Sequence, residues 1–342
     1  MRENIARGQA KHPIQTVTIP RHLGYVNNKN HGVMKTKKSA FICRGHQGKE
    51  NAYILALRKA GYKRSVENMM RGVKFVLADI DNGLRRNKLD SYHRYRLPVF
   101  LYPHAARPQI VWDGIWEPWP HIKCNFVPGP GHKEVMQRYG YEFPIEVTGW
   151  TYCDLKPFKP VKEIKSILFG PIHPSARGWF AEEDLEANKV TFKILLKYCR
   201  ENRIRLTIRY IQDLKKNGIE RVSGVTYIQG RPDLTIREID RADVVIGHQT
   251  FAYLAIARGK PTLMMREDIP PHTVYHGKTE YVRSWEKYAD IMQYPLDILA
   301  GDPVGDIEKA CKGTKEVKEW ADRFINHPFN ANHFVERLES YL

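Results

Sequence analysis

The chain has 342 residues, 42% hydrophobic and 27% charged, a balance that excludes a disordered chain and allows two domains with separate cores. Lys and Arg outnumber Asp and Glu by 55 to 38, a formal charge of +17; that surplus favours polyanionic partners, whether nucleic acid, an anionic membrane face or anionic substrates. Five scattered cysteines with no CxxC pair argue against a disulfide framework or a structural zinc site, and for a reducing cytoplasm.

No apolar run approaches the ~18 residues of a membrane span, and the N-terminus lacks the apolar core of a signal peptide. The expectation is a cytoplasmic chain with no stable membrane insertion. Residues 1–38 read as a basic arm, with Lys35, Lys37 and Lys38 at its end and a lone Glu3 among its charges. From Ser39 a strand–helix alternation begins. Ala40–Cys43 is an apolar strand, Arg44-Gly45-His46-Gln47-Gly48-Lys49 a polar turn, and Asn51–Ala60 a helix closed by Gly61. Val73–Leu77, Pro98–Tyr102 and Cys124–Val127 are further strands, the last followed by a Pro-Gly-Pro-Gly turn and a helix through Tyr139. Phe143–Thr148 closes this half. Such alternation builds a parallel sheet.

Pro157 and Pro160 among Lys156, Lys159 and Lys162 read as an interdomain linker over residues 151–163. A second alternation follows, with strands at Ile167–Phe169, Arg205–Tyr210 and Val225–Ile228, a long amphipathic helix over Glu183–Arg200, and a short helix around Ile236–Ala242. Val244–Ile246 is a β-branched strand that stops at Gly247. His248-Gln249-Thr250 opens an Ala/Leu-rich helix that ends at Gly259, and Pro261 restarts an apolar strand. Amphipathic helices at Val317–Ile325 and Ala331–Leu342 end the chain. The domain expectation is a basic arm (1–38), a first α/β domain (39–150), a linker (151–163), a second α/β domain (164–315) and helices that pack back on the body (316–342). The fold class is α/β, two Rossmann-like domains facing a central cleft.

A helix that opens on Gly-His-Gln-Thr directly after a buried strand offers free N–H groups and the positive end of its dipole to an anion. In a doubly wound sheet that position lies in the crevice where nucleotides bind. His248, Gln249 and Thr250 are therefore candidate phosphate ligands, against ordinary N-capping by Thr250. His173, Ser175 and Arg177 follow the first strand of the second half and face the same edge; a planar, permanently charged guanidinium suits a diphosphate. Arg209 ends another strand and can reach the same site, and Arg231 stands in a Gly-Arg-Pro-Asp turn beside it. In the first half His46, Asp79, Asp81 and His104 each follow a strand and are the candidates for a general base. Asp79-Ile80-Asp81 also has the DxD form of a metal site, which the two-half architecture disfavours; no metal is expected. Trp112 and Trp116, in an aromatic loop, offer a stacking platform for a sugar or an unstacked base. Arg44, Lys49 and the three lysines of the arm are candidate nucleic-acid contacts.

Ala242-Asp243-Val-Val-Ile246, Gly247-His248-Gln249-Thr250 and Ala257-Arg258-Gly259-Lys260-Pro261 resemble the GT-B glycosyltransferases and their relatives, the polyol-phosphate transferases and nucleotide-sugar 2-epimerases. The likeness covers residues 165–265 and extends to the first half by its α/β rhythm. It implies a nucleotide-diphosphate sugar, UDP-linked, as co-substrate, an acceptor held by the first half, reaction in the cleft, and no further cofactor. One departure is Leu254, which stands near the place where such transferases often carry a ribose-binding Glu. In size and charge the chain also resembles phage DNA glucosyltransferases, which implies a hydroxylated pyrimidine in DNA as acceptor, a monomer, and the host cytoplasm as its place. The competing readings are a cell-surface glycan or polyol-phosphate transferase at an anionic membrane, and a non-catalytic nucleic-acid-binding α/β protein.

Overall fold

The computed structural model describes residues 40–44, 51–65, 72–79, 96–103, 122–138, 143–151, 155–172, 181–211, 213–230, 232–265, 294–298 and 303–342. Two six-stranded sheets carry it, and every strand pairing within them is parallel. The first holds β1 (Ala40–Arg44), β2 (Lys63–Ser65), β3 (Val73–Asp79), β4 (Val99–Tyr102), β5 (Ile122–Val127) and β6 (Ile145–Val147), in the order β2-β1-β3-β4-β5-β6. The second holds β7 (Ser166–Phe169), β8 (Arg205–Tyr210), β9 (Thr226–Gln229), β10 (Val244–Gly247), β11 (Thr262–Met265) and β12 (Asp297–Ile298), in the order β12-β11-β10-β7-β8-β9. Both orders reverse direction once, the mark of a doubly wound sheet. The fold is two Rossmann-like domains.

The inner strands are short apolar runs because helices cover both faces. In the first sheet, Phe41, Phe75, Phe100 and Phe126 point to one face, where α1 (Ala52–Lys59) supplies Tyr53, Ile54 and Leu57. The same core receives Phe334 and Leu338 of α8 (Ala331–Ser340), the last helix of the chain. α2 (Pro130–Arg138) closes the other face at Met136. In the second sheet, Ile167, Phe169, Leu206, Ile208, Val244 and Ile246 meet Leu195 and Cys199 of α3 (Ala181–Glu201) and Ile307 and Cys311 of α6 (Val304–Lys312). Trp320 and Phe324 of α7 (Lys315–Phe324) join this core, and so do Val135 and Trp150 from the first half. On the opposite face Leu168 and Val245 pack against Ile239 of α4 (Pro232–Arg241) and Phe251 and Ala255 of α5 (Gln249–Ala257). The sheet thus alternates inward residues between two cores with the period of two that a strand imposes.

Two strands of chain run side by side where the halves meet. Trp150 N–H donates to the His327 carbonyl at 2.7 Å, and Asn330 N–H to the Thr148 carbonyl at 2.8 Å. This pairing delivers α8 to the first sheet, where Arg337 and Tyr341 both donate to Glu146, the tyrosine at 2.8 Å.

The Pro/Lys stretch is no free tether. Residues 155–161 lie along the amino-terminal edge of the second sheet, with Lys156 N–H donating to the Ala257 carbonyl at 2.9 Å and Val161 N–H to the Cys311 carbonyl at 3.0 Å. Lys156 also reaches Asp240 at 3.3 Å, and Asp240 accepts two bonds from the Arg258 guanidinium, the Nε bond at 2.5 Å. Burial disfavours the ionised Asp240 carboxyl, but Arg258 and then Lys156 outweigh it and hold its pKa below the ordinary aspartate value. A carboxyl depressed on folding contributes stability that is whole above its unfolded pKa, about 3.9, and is lost as pH falls through its lower folded value. Melting temperatures followed from pH 6 to pH 3 should therefore fall less steeply for Asp240→Asn than for the parent chain.

Candidate functional site

The order of the second sheet places its reversal between β7 and β10, and ligands of such sheets bind outside the carboxyl ends of the strands at that point. Both strand ends carry glycine, and the reason is steric. A Cβ on Gly170 would lie 2.5 Å from the Phe251 ring, and one on Gly247 would lie 2.3 Å from it. Gly170 N–H donates to the Ile246 carbonyl at 2.8 Å, so the two ends stay paired while the phenyl ring covers them.

Phe251 is the third residue of α5, and its helix opens without a side-chain cap. His248 is the N-cap residue, in extended conformation, and makes no capping hydrogen bond. Thr250 lies inside the first turn, so it does not cap the helix; that role falls to the half-buried His248. The Phe251 N–H bonds to the His248 carbonyl at 3.2 Å, and among the described residues the N–H groups of Gln249 and Thr250 have no side-chain acceptor at the positive end of the dipole.

Arg209 completes this arrangement. It is the penultimate residue of β8, the strand beside β7, and its guanidinium carbon sits 5.0 Å from the centre of the Phe251 ring, within cation–π range. Its Nε donates to Thr235 Oγ1 of α4 at 3.0 Å. Gly230 makes room for it, since a Cβ there would fall 2.9 Å from the guanidinium carbon. Burial lowers the Arg209 pKa from its ordinary value, and among the described residues no carboxylate pairs with it. A desolvated guanidinium with no counter-ion is costly, and its terminal NH2 groups are donors suited to an anion. The partly buried Leu254, one turn along α5, packs between the two cores and has no polar role.

Of the residues singled out from sequence, the structure brings together Arg209, His248 and Thr250, with the Gln249 backbone between the last two. Arg44 and Asp79 are the last residues of β1 and β3, which are hydrogen-bonded neighbours at the reversal of the first sheet. Lys35, Lys37, Lys38, His46, Lys49, Asp81, His104, Trp112, Trp116, His173, Ser175, Arg177 and Arg231 lie outside the described residues. Sequence reasoning missed Phe251, Gly230 and Thr235. The signal for the first was available: a large aromatic residue four positions after a strand-ending glycine.

The root of the connection after β7 is fixed by buried amides. Asn188 of α3 accepts from Ile172 N–H and donates to the Ile172 carbonyl, both at 2.8 Å, and also donates to the Asn217 carbonyl at 3.0 Å. Cys199 and Cys311 are buried thiols, and burial pushes Cys199 up to about 12 and, with Asp243 and Glu308 nearby, Cys311 up to about 11. Neither is a nucleophile at neutral pH. Among the described residues no group of three His, Cys, Asp or Glu side chains is placed to hold a metal ion. Nor is any described helix long and apolar enough to cross a membrane.

No protein-family model and no curated protein matches the chain. Among solved structures it is similar to the S. aureus MnaA–UDP co-structure, at 12% identity and a TM-score of 0.51, over 90% of this chain and 97% of that one. It is also similar to the UDP-GlcNAc 2-epimerase from Methanocaldococcus jannaschii, at 11% identity and a TM-score of 0.52, over 89% of this chain and all of the other. These likenesses span both sheets and agree with the strand orders, and on them the chain has the GT-B fold, that of the glycosyltransferases and the UDP-GlcNAc 2-epimerases.

Proposed function

We propose that this protein transfers a sugar from a UDP-linked donor to a hydroxyl acceptor, and that the acceptor is a hydroxylated pyrimidine in DNA. The observation that carries the donor half is Arg209, a half-buried cation with no carboxylate partner among the described residues, beside the uncapped opening of α5. A diphosphate supplies the charge that Arg209 lacks and the acceptors that the Gln249 and Thr250 N–H groups lack. His173, Ser175, Arg177 and Arg231 are assigned to the same ligand, and His248 to its edge. The MnaA structure named above holds UDP, which supports a uridine nucleotide.

In the reaction the acceptor oxygen bonds to the anomeric carbon as the bond from that carbon to the diphosphate oxygen breaks. The departing diphosphate takes the electron pair, and Arg209 with the α5 dipole stabilises its charge. The acceptor proton passes to a base from the first half, one of His46, Asp79, Asp81 or His104. Trp112 and Trp116 are assigned to an extruded base, and Arg44, Lys49, Lys35, Lys37 and Lys38 to its backbone. These charge contacts make a metal unnecessary. A second reading, sugar epimerisation on the nucleotide, is favoured by the likeness to the UDP-GlcNAc 2-epimerase from M. jannaschii.

The two readings separate in one experiment. The protein is incubated with UDP-sugars, with and without hydroxymethylated duplex DNA, and products are read by mass spectrometry. Transfer gives free UDP together with DNA heavier by one sugar residue. A sugar nucleotide altered without any DNA present, and DNA of unchanged mass, would overturn it in favour of epimerisation.

A further inference from the structure

The positive charge of this chain is distributed unevenly. Residues 1–150 hold 25 Lys and Arg against 11 Asp and Glu, a surplus of +14, whereas residues 151–342 hold 30 against 27, a surplus of +3. The half assigned to the donor is close to neutral, and the other half carries almost the whole excess.

The described part of the first sheet shows where some of that charge stands. Val73–Ala78 of β3 and the whole of β5 are buried but for one residue each, the second: Lys74 and Lys123. Lys63 is the exposed first residue of β2, and the exposed Arg96 precedes β4 by three positions. The register sets their levels. Lys63 and Val73 both pair with Ala40, and Val76 pairs with Val99, which puts Arg96 level with Val73. Val99 in turn pairs with Ile122, so Lys123 stands level with Val76 and Leu77 of β3, roughly 10 Å further along the strands. Lys63, Lys74 and Arg96 therefore stand together at the amino-terminal edge, with Lys123 at the start of β5 set back from them, and the four spread from β2 to β5. At about 4.8 Å per strand that is about 19 Å.

None of the four makes an ion pair with a described carboxylate. Glu339 of α8 reaches the same edge, but there it accepts from Tyr62 Oη at 3.1 Å. The α1 helix ends on this edge with Arg58 and Lys59, so the exposed rim is basic on the helix side as well.

We propose that this amino-terminal rim of the first sheet, Lys63, Lys74, Arg96 and Lys123, docks the phosphate backbone of duplex DNA. About 19 Å matches roughly five nucleotides of one strand at ~3.4 Å each. Its cations are exposed and held by the sheet in an oblique array, Lys123 set back from the other three, a spread that suits an extended run of phosphates rather than a single small anion. The rim lies at the opposite end of the strands from the carboxyl-end crevice. It therefore retains DNA by contacts separate from those that present a base for reaction. The proposal rests on DNA being the acceptor, and it adds a second DNA-holding surface to that reading.

The test compares two variants of equal charge change. One is Lys63→Gln, Lys74→Gln, Arg96→Gln and Lys123→Gln. The other is Lys189→Gln, Lys193→Gln, Lys197→Gln and Lys216→Gln, four exposed lysines of the second half. Duplex affinity is measured across a salt series, with UDP-induced thermal shift as a check on folding and on the donor site. The rim variant is expected to bind duplex roughly 10- to 100-fold more weakly, with the slope of log K against log salt reduced by about 3. The second variant should stay near the parent, and both should keep the UDP shift. Equal losses in both variants mean that binding follows net charge alone, and the rim is then overturned. So does a rim variant that binds as the parent does. If the parent binds anionic vesicles and no duplex, the DNA acceptor falls as well, while a surviving UDP shift leaves the donor site standing.

Discussion

Arg209→Met is expected to weaken binding of a nucleoside diphosphate by roughly 10- to 100-fold, the loss of one charge-assisted hydrogen-bond partner at about 1.5–3 kcal/mol. The free protein should respond in the other direction. Methionine keeps apolar volume over Phe251 and removes a charge that no described carboxylate compensates, so its melting temperature should hold or rise. An arginine kept for the fold alone would give the opposite pair of results, a lower melting temperature and unchanged binding. Gly230→Ala offers a milder version of the same test. Its Cβ would stand 2.9 Å from the guanidinium carbon and must displace it, so nucleotide affinity should fall while every polar group of the site remains in place. Calorimetric titration of both variants with UDP, beside thermal melts of the free proteins, reads both quantities.

Gly259→Ala should destabilise the second half by about 3 kcal/mol or more. The residue has a φ of +69°, a conformation that costs an L-residue about 1–2 kcal/mol. A Cβ would also lie 2.2 Å from the Pro157 carbonyl oxygen and 2.9 Å from that of Lys156. Both are backbone atoms, so the strap must lift from the sheet edge. Lifting it breaks the bonds of Lys156 N–H to the Ala257 carbonyl and of Lys159 N–H to the Gly259 carbonyl, at 2.9 and 3.2 Å. The network of Asp240 with Lys156 and Arg258 is disturbed with it. Urea unfolding of the variant should show the loss as a lower midpoint at unchanged slope. A change below about 1 kcal/mol would mean that the strap is not held as described.

These two residues show what the sequence could and could not convey. The run from Ala242 to Pro261 reads correctly as strand, turn, helix and strand, because its apolar residues, glycines and proline obey local rules. Its two halves do different work, which periodicity cannot reveal. His248-Gln249-Thr250 opens the helix at the carboxyl edge of the sheet. Arg258-Gly259-Lys260 lies at the amino edge, where Gly259 accommodates the strap and Lys260 donates to the Asp240 and Ala242 carbonyls at 2.7 and 2.8 Å. Half of the stretch that carries the family resemblance is thus architectural.

The docking of the linker against the second sheet is hidden from the sequence for a physical reason. Proline and lysine are typical of a solvated connection, and the backbone bonds that tie 155–161 to the second sheet leave no trace in side-chain composition. β2 is absent from the sequence reading because Lys63-Arg64-Ser65 contains no apolar residue; an edge strand buries too little to need one. β12, two residues long, is equally silent. For Arg209 the position at a strand end is legible, but its value as a ligand depends on an absence. No described carboxylate approaches it in three dimensions, and only the packed structure can establish that.

The central claim is that the carboxyl end of the second sheet holds a nucleotide diphosphate on Arg209 and the opening turn of α5. The most direct measurement is a thermal-shift titration of the parent chain with UDP, UMP and inorganic phosphate, repeated with Arg209→Met. A ligand at 100 times its dissociation constant stabilises the folded state by about 2.7 kcal/mol, enough to raise the melting temperature by several degrees. A saturable rise is expected with UDP, a smaller one with UMP, and a marked loss of the UDP response in Arg209→Met. The claim is contradicted if UDP leaves the melting temperature unchanged, or raises it equally in the parent and in Arg209→Met.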